Sequence, residues 1–252
     1  MNVSMVLLII LFILMIIIGG KRGVKSFFTL IFNFSILFFM LILIAAQMDP
    51  IKITFIGSIT ITYITLFYIN GLNKKTVSAL ISVTLVIFIT MLITYNMAGN
   101  AQIQGFGTEQ SETIASLSVY VQLNFSKIVI CEVLVGLLGA IIDVSISISS
   151  SMYELYKNDS SISKSTILKS GMNIGKDILG TMTNTLLFAY IGGFMTLIIY
   201  FYELHYSVSS IINAKVFCSE VFQVLCGGIG IILIIPITSI ITANILYLKS
   251  NS

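Results

Sequence analysis

Runs of about 20 consecutive apolar residues recur along this chain, and each is long enough to carry an α-helix through the ~30 Å hydrocarbon core of a bilayer. Nothing else in the sequence narrows the fold so sharply. Hydrophobic residues make up 57% of the 252 positions and charged residues 9%, with a mean hydropathy of +1.06. A water-soluble domain needs a polar exterior that this composition does not supply. In lipid, backbone N–H and C=O groups must be satisfied within their own segment, which favours helices. The expected fold class is therefore an all-α, polytopic transmembrane bundle of about seven spans. They are placed at 3–18, 27–46, 51–69, 77–95, 128–150, 178–201 and 222–246, within one integral membrane domain covering 1–252.

Local punctuation supports these limits. Gly19-Gly20 ends the first run, and Asp49-Pro50 stops the second, because proline cannot continue a helix that precedes it. The stretch 96–126 is the longest without a span, and its half-apolar portion 114–125 reads as either interfacial or re-entrant. Asn158-Asp-Ser-Ser161 has the residue types of a helix start. Pro236 lies inside the last run and should bend it or free a carbonyl about four residues earlier. Placing the N-terminus outside and the C-terminus in the cytoplasm leaves ten of the thirteen basic residues on the cytoplasmic side, as the positive-inside rule requires. The expected location is the bacterial cell membrane, with lipid as the principal surroundings.

The fifth span interrupts its apolar character with acids and hydroxyls. Glu132, Asp143 and Glu154 recur every eleven residues, close to three helical turns, so their carboxylates share one face. Ser147 and Ser151 lie between the last two. In the next span Asn173, Asp177, Gly180 or Thr181, and Asn184 recur at three and four residues, again on one face. A carboxylate at bilayer depth costs about 2.5–3.5 kcal/mol on insertion scales, so Asp143 needs compensation. As a protonatable or cation-binding site it would exploit the low dielectric, which favours the neutral acid. As a structural clamp it would be hydrogen-bonded to hydroxyls or to Asn184. Glu132 reads most simply as a solvated charge near a helix end. Gly136, Gly139, Gly180, Gly227 and Gly228 are expected to permit close helix approach or, at Gly227-Gly228 with Pro236, to break a helix around a substrate.

Two of these stretches carry a resemblance. Gly136-Leu-Leu-Gly-Ala-Ile-Ile-Asp-Val-Ser-Ile-Ser-Ile-Ser-Ser-Ser-Met-Tyr-Glu-Leu155 and Ser170-Gly-Met-Asn-Ile-Gly-Lys-Asp-Ile-Leu-Gly-Thr-Met-Thr-Asn-Thr-Leu186 are similar to the two signature blocks of the YibE/F family of bacterial membrane proteins. The likeness is dense from about Gln104 to Asn244. Ser145 stands where alanine is usual and Lys176 where arginine is usual, which puts a bidentate anion contact there in doubt. The resemblance implies a permease-like inner-membrane protein of the family's shorter form, with a longer paralogue as partner in a homo- or hetero-oligomer.

Other classes find no support. Basic residues are spread along the loops, which argues against nucleic-acid binding. Cys131, Cys218 and Cys226 have no metal-ligand or disulfide spacing. No Walker loop, HExxH motif or Ser/His/Asp arrangement is present, so neither an enzyme, a resident metal nor a cofactor is expected. The leading expectation is a component of a secondary transporter whose path is lined by Asp143, Ser147, Asp177 and Asn184, with Glu154 at its cytoplasmic mouth. The alternative is a scaffold or regulatory subunit in which the same residues form a seam.

Overall fold

The computed structural model describes residues 3–101 and 124–248, and every regular element among them is an α-helix. In chain order these are α1 (Val3–Ala45), α2 (Pro50–Asn70), α3 (Lys74–Ala101), α4 (Phe125–Asn158), α5 (Lys164–Glu203), the short α6 (Val208–Asn213) and α7 (Lys215–Tyr247). The segment expected to be interfacial or re-entrant, 114–125, lies outside the described residues until Asn124, whose side chain caps α4 by accepting from the Lys127 N–H.

Six of the helices are long and apolar enough to cross a membrane. The first, at 43 residues, would be ~65 Å long if straight, about twice the core thickness. It is not straight. Gly20 has φ 51° and ψ −132°, a conformation that only glycine adopts without strain. The chain folds back there, so the Phe12 and Phe27 rings meet with centroids 4.5 Å apart. Gly23 lies against the Met15 carbonyl, where a Cβ would collide. Two arms on either side of Gly20 thus supply the first two crossings, and seven crossings result, as the apolar runs indicate.

Several helices extend past the apolar runs. Most notably, α5 starts at Lys164, where Ser163 accepts the Thr166 N–H, and takes in the whole of the second signature block. The helix start is therefore Ser163 rather than Asn158–Ser161. Asp159 instead closes a small turn, accepting from the Ser161 N–H and hydroxyl at 2.9 and 2.6 Å. In α7 the helix runs unbroken through Gly227, Gly228 and Pro236, and the described glycines with positive φ are Gly20 and Gly71. The broken helix considered for that stretch does not form.

Contacts at the two ends agree with alternating crossings. At one end the Lys127 ammonium lies 2.6 Å from Asp49, joining the α1–α2 turn to the start of α4. Asp49 also caps α2 through the Ile51 and Lys52 N–H groups. At the other end the Lys74 ammonium donates to the Leu246 and Leu248 carbonyls, the Tyr247 hydroxyl donates to the Ile162 carbonyl, and Lys75 stands over the Tyr153 ring.

Between the ends, α4 is the central post, packed against α2, α3, α5 and α7. Its inward residues Val133, Leu134, Leu137, Ile141, Val144 and Ile148 are fully buried. Lipid is as apolar as leucine, so helix association depends on close packing and interhelical hydrogen bonds. The bundle uses both. Gly171 and Gly175, spaced as G-x-x-x-G, are buried where α5 crosses α7: a Cβ on Gly171 would come 3.2 Å from Ser239 Cβ, and one on Gly175 3.1 Å from Ile235 Cβ. Ser145 is also wholly buried. Its hydroxyl donates to the Ala79 carbonyl of α3 at 3.3 Å and accepts from the Thr238 hydroxyl of α7 at 3.1 Å. The departure from alanine at 145 thereby ties three helices together.

Candidate functional site

The helical period that buries one face of α4 turns its polar face outward. Glu132, Gly136, Gly139, Asp143, Ser147 and Glu154 are all exposed on the bundle surface, while the residues between them are largely buried. Asp143 sits near the middle of the 34-residue helix, inside a stretch apolar enough to cross a membrane. Ser151 is half-buried and returns its hydroxyl to the Ser147 carbonyl at 2.9 Å.

The same division holds on α5. Its glycine face, with Gly171 and Gly175, packs inward, and Asn173, Asp177, Gly180, Thr181 and Asn184 are exposed. Gly171 meets Met152, and Tyr190 meets Gly136, so α4 and α5 run antiparallel. Interpolating between those contacts sets Asp143 level with Thr181 and Ser147 level with Asp177. The two polar faces therefore share a depth range on neighbouring helices. Among the described residues, the side chains of Asp143, Glu154, Asn173, Asp177 and Asn184 make no hydrogen bond or ion pair with one another. The Asp143–Asn184 hydrogen bond considered from sequence is not formed, and Lys176 makes no ion pair with the neighbouring Asp177 among the described residues. Thr181 donates only to its own helix, at the Ile178 carbonyl.

Glycines divide by face in the same way. Gly136 lies beneath the Tyr190 phenol, and a Cβ on Gly227 would come 2.7 Å from Leu186 Cδ2, so both mark close approaches of neighbouring helices. Gly139, Gly180 and Gly228 face open space within the chain.

Near the Asp49 end the polar face of α4 runs into a cavity of about 1080 Å³ between the second arm of α1 and helices α2, α4, α5 and α7. Most of its wall is apolar, with Leu37, Met40, Ile44 and Leu186 among the lining residues. Its polar wall comes from four helices. Glu132 accepts a hydrogen bond from the Gln223 amide at 2.9 Å. Glu220, Tyr190 and Thr54 line the same space; the Thr54 hydroxyl is met by the Cys131 thiol, and the Tyr190 hydroxyl has no partner among the described residues. Among the described residues, no basic side chain lines the cavity. The neighbouring cation, Lys127, is engaged by Asp49, and its ammonium hydrogen bond holds the Asp49 carboxyl below the usual carboxylate range, against the opposing effect of burial.

Glu132 is thus not a helix-end charge. It lies about two turns inside α4 and joins the cavity to the stripe that continues through Gly136 to Asp143. Sequence periodicity placed it on the right face. Glu220 and Gln223, one turn apart on α7, and Tyr190 on α5 gave no comparable signal, because only the packing of three helices brings them to Glu132.

The sequence matches the family described as YibE/F-like protein over residues 7–247. No curated protein matches it, and neither does any solved structure.

Proposed function

We propose, for a chain that belongs to the YibE/F-like family, the role of a permease-like component of a secondary transporter in the bacterial cell membrane, oriented with its N-terminus outside. One observation carries the reading: the carboxylate of Asp143 lies near the middle of a helix long enough to cross a membrane, on an exposed face, with no partner among the described residues. An uncompensated charge there is costly, and such residues by default mark ion or substrate pathways. The neutral acid is the form that an apolar medium tolerates, and a carboxyl that exchanges its proton there is suited to coupling. The path in this reading follows the outer face of α4 from the cavity at Glu132, past Gly136 and Asp143, to Ser147 and Glu154, with Asp177, Thr181 and Asn184 of α5 alongside.

Carbodiimide labelling of the purified protein across a pH series, mapped by mass spectrometry, tests this. Asp143 is expected to label at low pH and to lose reactivity as pH rises. Asp143→Asn should abolish proton flux into proteoliposomes while leaving assembly intact. Absence of labelling at every pH would sink the reading.

The lateral position of the stripe also favours a second reading, in which α4 and α5 form a seam with another subunit, a second copy or a longer paralogue. Asp143→Asn would then break a cross-linkable complex without removing any flux.

A further inference from the structure

We infer that the cavity between the second arm of α1 and helices α2, α4, α5 and α7 is a binding site for amphiphilic organic cations. Among the described residues its carboxylates are Glu132 and Glu220, which face a largely apolar wall with no basic side chain. Glu132 is oriented by the Gln223 amide, an uncharged donor that leaves its negative charge uncompensated. The charge of nearby Lys127 is spent on Asp49. A second observation points to a ligand independently of the acids. The Tyr190 phenol, which lines the cavity, is buried with no hydrogen-bond partner among the described residues, while the Thr54 hydroxyl beside it is met by the Cys131 thiol. Buried polar groups without partners are rare in folded proteins and call for an explanation such as a ligand or an ion.

The chemistry of the wall selects the class of occupant. An anion would meet two carboxylates with no compensating charge. A small inorganic cation would leave most of a 1080 Å³ apolar space unfilled. A monocation with a hydrophobic body satisfies both parts of the wall, placing its charge toward Glu132 and Glu220 and its body against Leu37, Met40 and Leu186. This volume lies at the upper end of small-molecule sites, which span roughly 300–1,000 Å³ and combine apolar walls with a few placed polar groups. The inference stands apart from transport, since binding requires no flux and no proton exchange at Asp143.

The test uses the full chain in nanodiscs, with tetraphenylphosphonium as probe and tetraphenylborate, of the same shape and opposite charge, as comparison. Equilibrium dialysis should show saturable binding of the cation and no saturable binding of the borate. Glu132→Gln and Glu220→Gln should each weaken cation binding by at least about tenfold, as loss of one member of a desolvated charge pair does. Asp159→Asn, which removes one negative charge from a turn at the far end, should leave binding unchanged. Ala189→Phe, a bulkier side chain in the cavity wall, should block the probe without altering charge. Equal binding of cation and borate would overturn the inference. Unchanged affinity in both glutamate variants, checked for native size-exclusion behaviour, would overturn it as well. A failure of proton flux with cation binding intact would count against the transport reading alone.

Discussion

Replacing Gly175 by alanine isolates the energy of the α5–α7 crossing. The new Cβ would lie 3.1 Å from Ile235 Cβ and Cγ1, and closer still to Cγ2. Neither helix can yield without disturbing Gly171 against Ser239 one turn away. Overpacking of this kind costs about 1–3 kcal/mol, offset by the ~1 kcal/mol that alanine gains over glycine in a helix interior. Gly180→Ala supplies the internal reference, because a Cβ there meets nothing within 4 Å and only the propensity gain remains. The difference between the two variants, about 1–3 kcal/mol, is then the packing term itself. Thermal unfolding in detergent can be followed with a thiol-reactive fluorophore, since Cys131 and Cys226 are buried and label only on unfolding; Cys218, which is half-buried, is first replaced by serine. For a chain of this size each kcal/mol corresponds to about 2–4 °C in Tm. Trimming Ile235 to alanine makes room for the added methyl, so the double variant Gly175→Ala/Ile235→Ala should be more stable than the sum of the single effects predicts, by at least about 0.5 kcal/mol. Equal melting of Gly175→Ala and Gly180→Ala, or strict additivity with Ile235→Ala, would refute the assignment of this contact.

Further outcomes are expected in thermal unfolding, followed by circular dichroism in the acid series because the thiolate that reacts with the fluorophore is absent at low pH. Asp49 has a folded-state pKa below its unfolded value, so its contribution is complete above the unfolded carboxylate pKa of about 4 and is lost as pH falls through the lower folded value. Tm should therefore decline below about pH 4 in the parent more steeply than in Asp49→Asn; parallel profiles would disprove the linkage. At neutral pH Asp49→Ala should cost about 1 kcal/mol through loss of the α2 cap. Ser145→Ala should cost about 0.6–1.7 kcal/mol, the range of interhelical hydrogen bonds in membrane proteins. Thr238→Val should add little in its presence, and full additivity of the two would argue against a shared hydrogen bond.

The fold was legible because the bilayer acts as a filter on the sequence. Apolar runs of the right length mark crossings whatever their packing, and the break at Gly20 was readable as Gly19-Gly20 followed by a basic cluster. Helix ends were less legible. Lys157, Lys164 and Lys169 lower hydropathy without opposing helix, so α4 and α5 continue well past the runs that announce them. Which face of each helix turns inward was the hardest feature to read. Asp143 invites burial beside a polar partner, yet α4 buries its aliphatic face together with Ser145 and Ser149 and leaves the acids outside. On α5 the inward face is set by Gly171 and Gly175, whose smallness carries no hydropathy signal. The cavity acids Glu132 and Glu220 lie 88 residues apart in sequence, and only three-dimensional packing brings them to one wall.

The hinge at Gly20 also sets where the surrounding lipid makes itself felt. In α1 the buried residues are Gly23, Phe27, Thr29, Met40 and Ile44, all in the second arm. Among the described residues the first arm touches its own hairpin partner through Phe12 and is otherwise largely exposed. A helix held by packing on several sides resists tilting, whereas one held along a single edge follows the thickness of the bilayer at little cost. The angle at Gly20 is therefore expected to take up changes in membrane thickness, while the second arm of α1 and helices α2–α5 and α7, which together wall the cavity and carry the acidic stripe, keep their geometry.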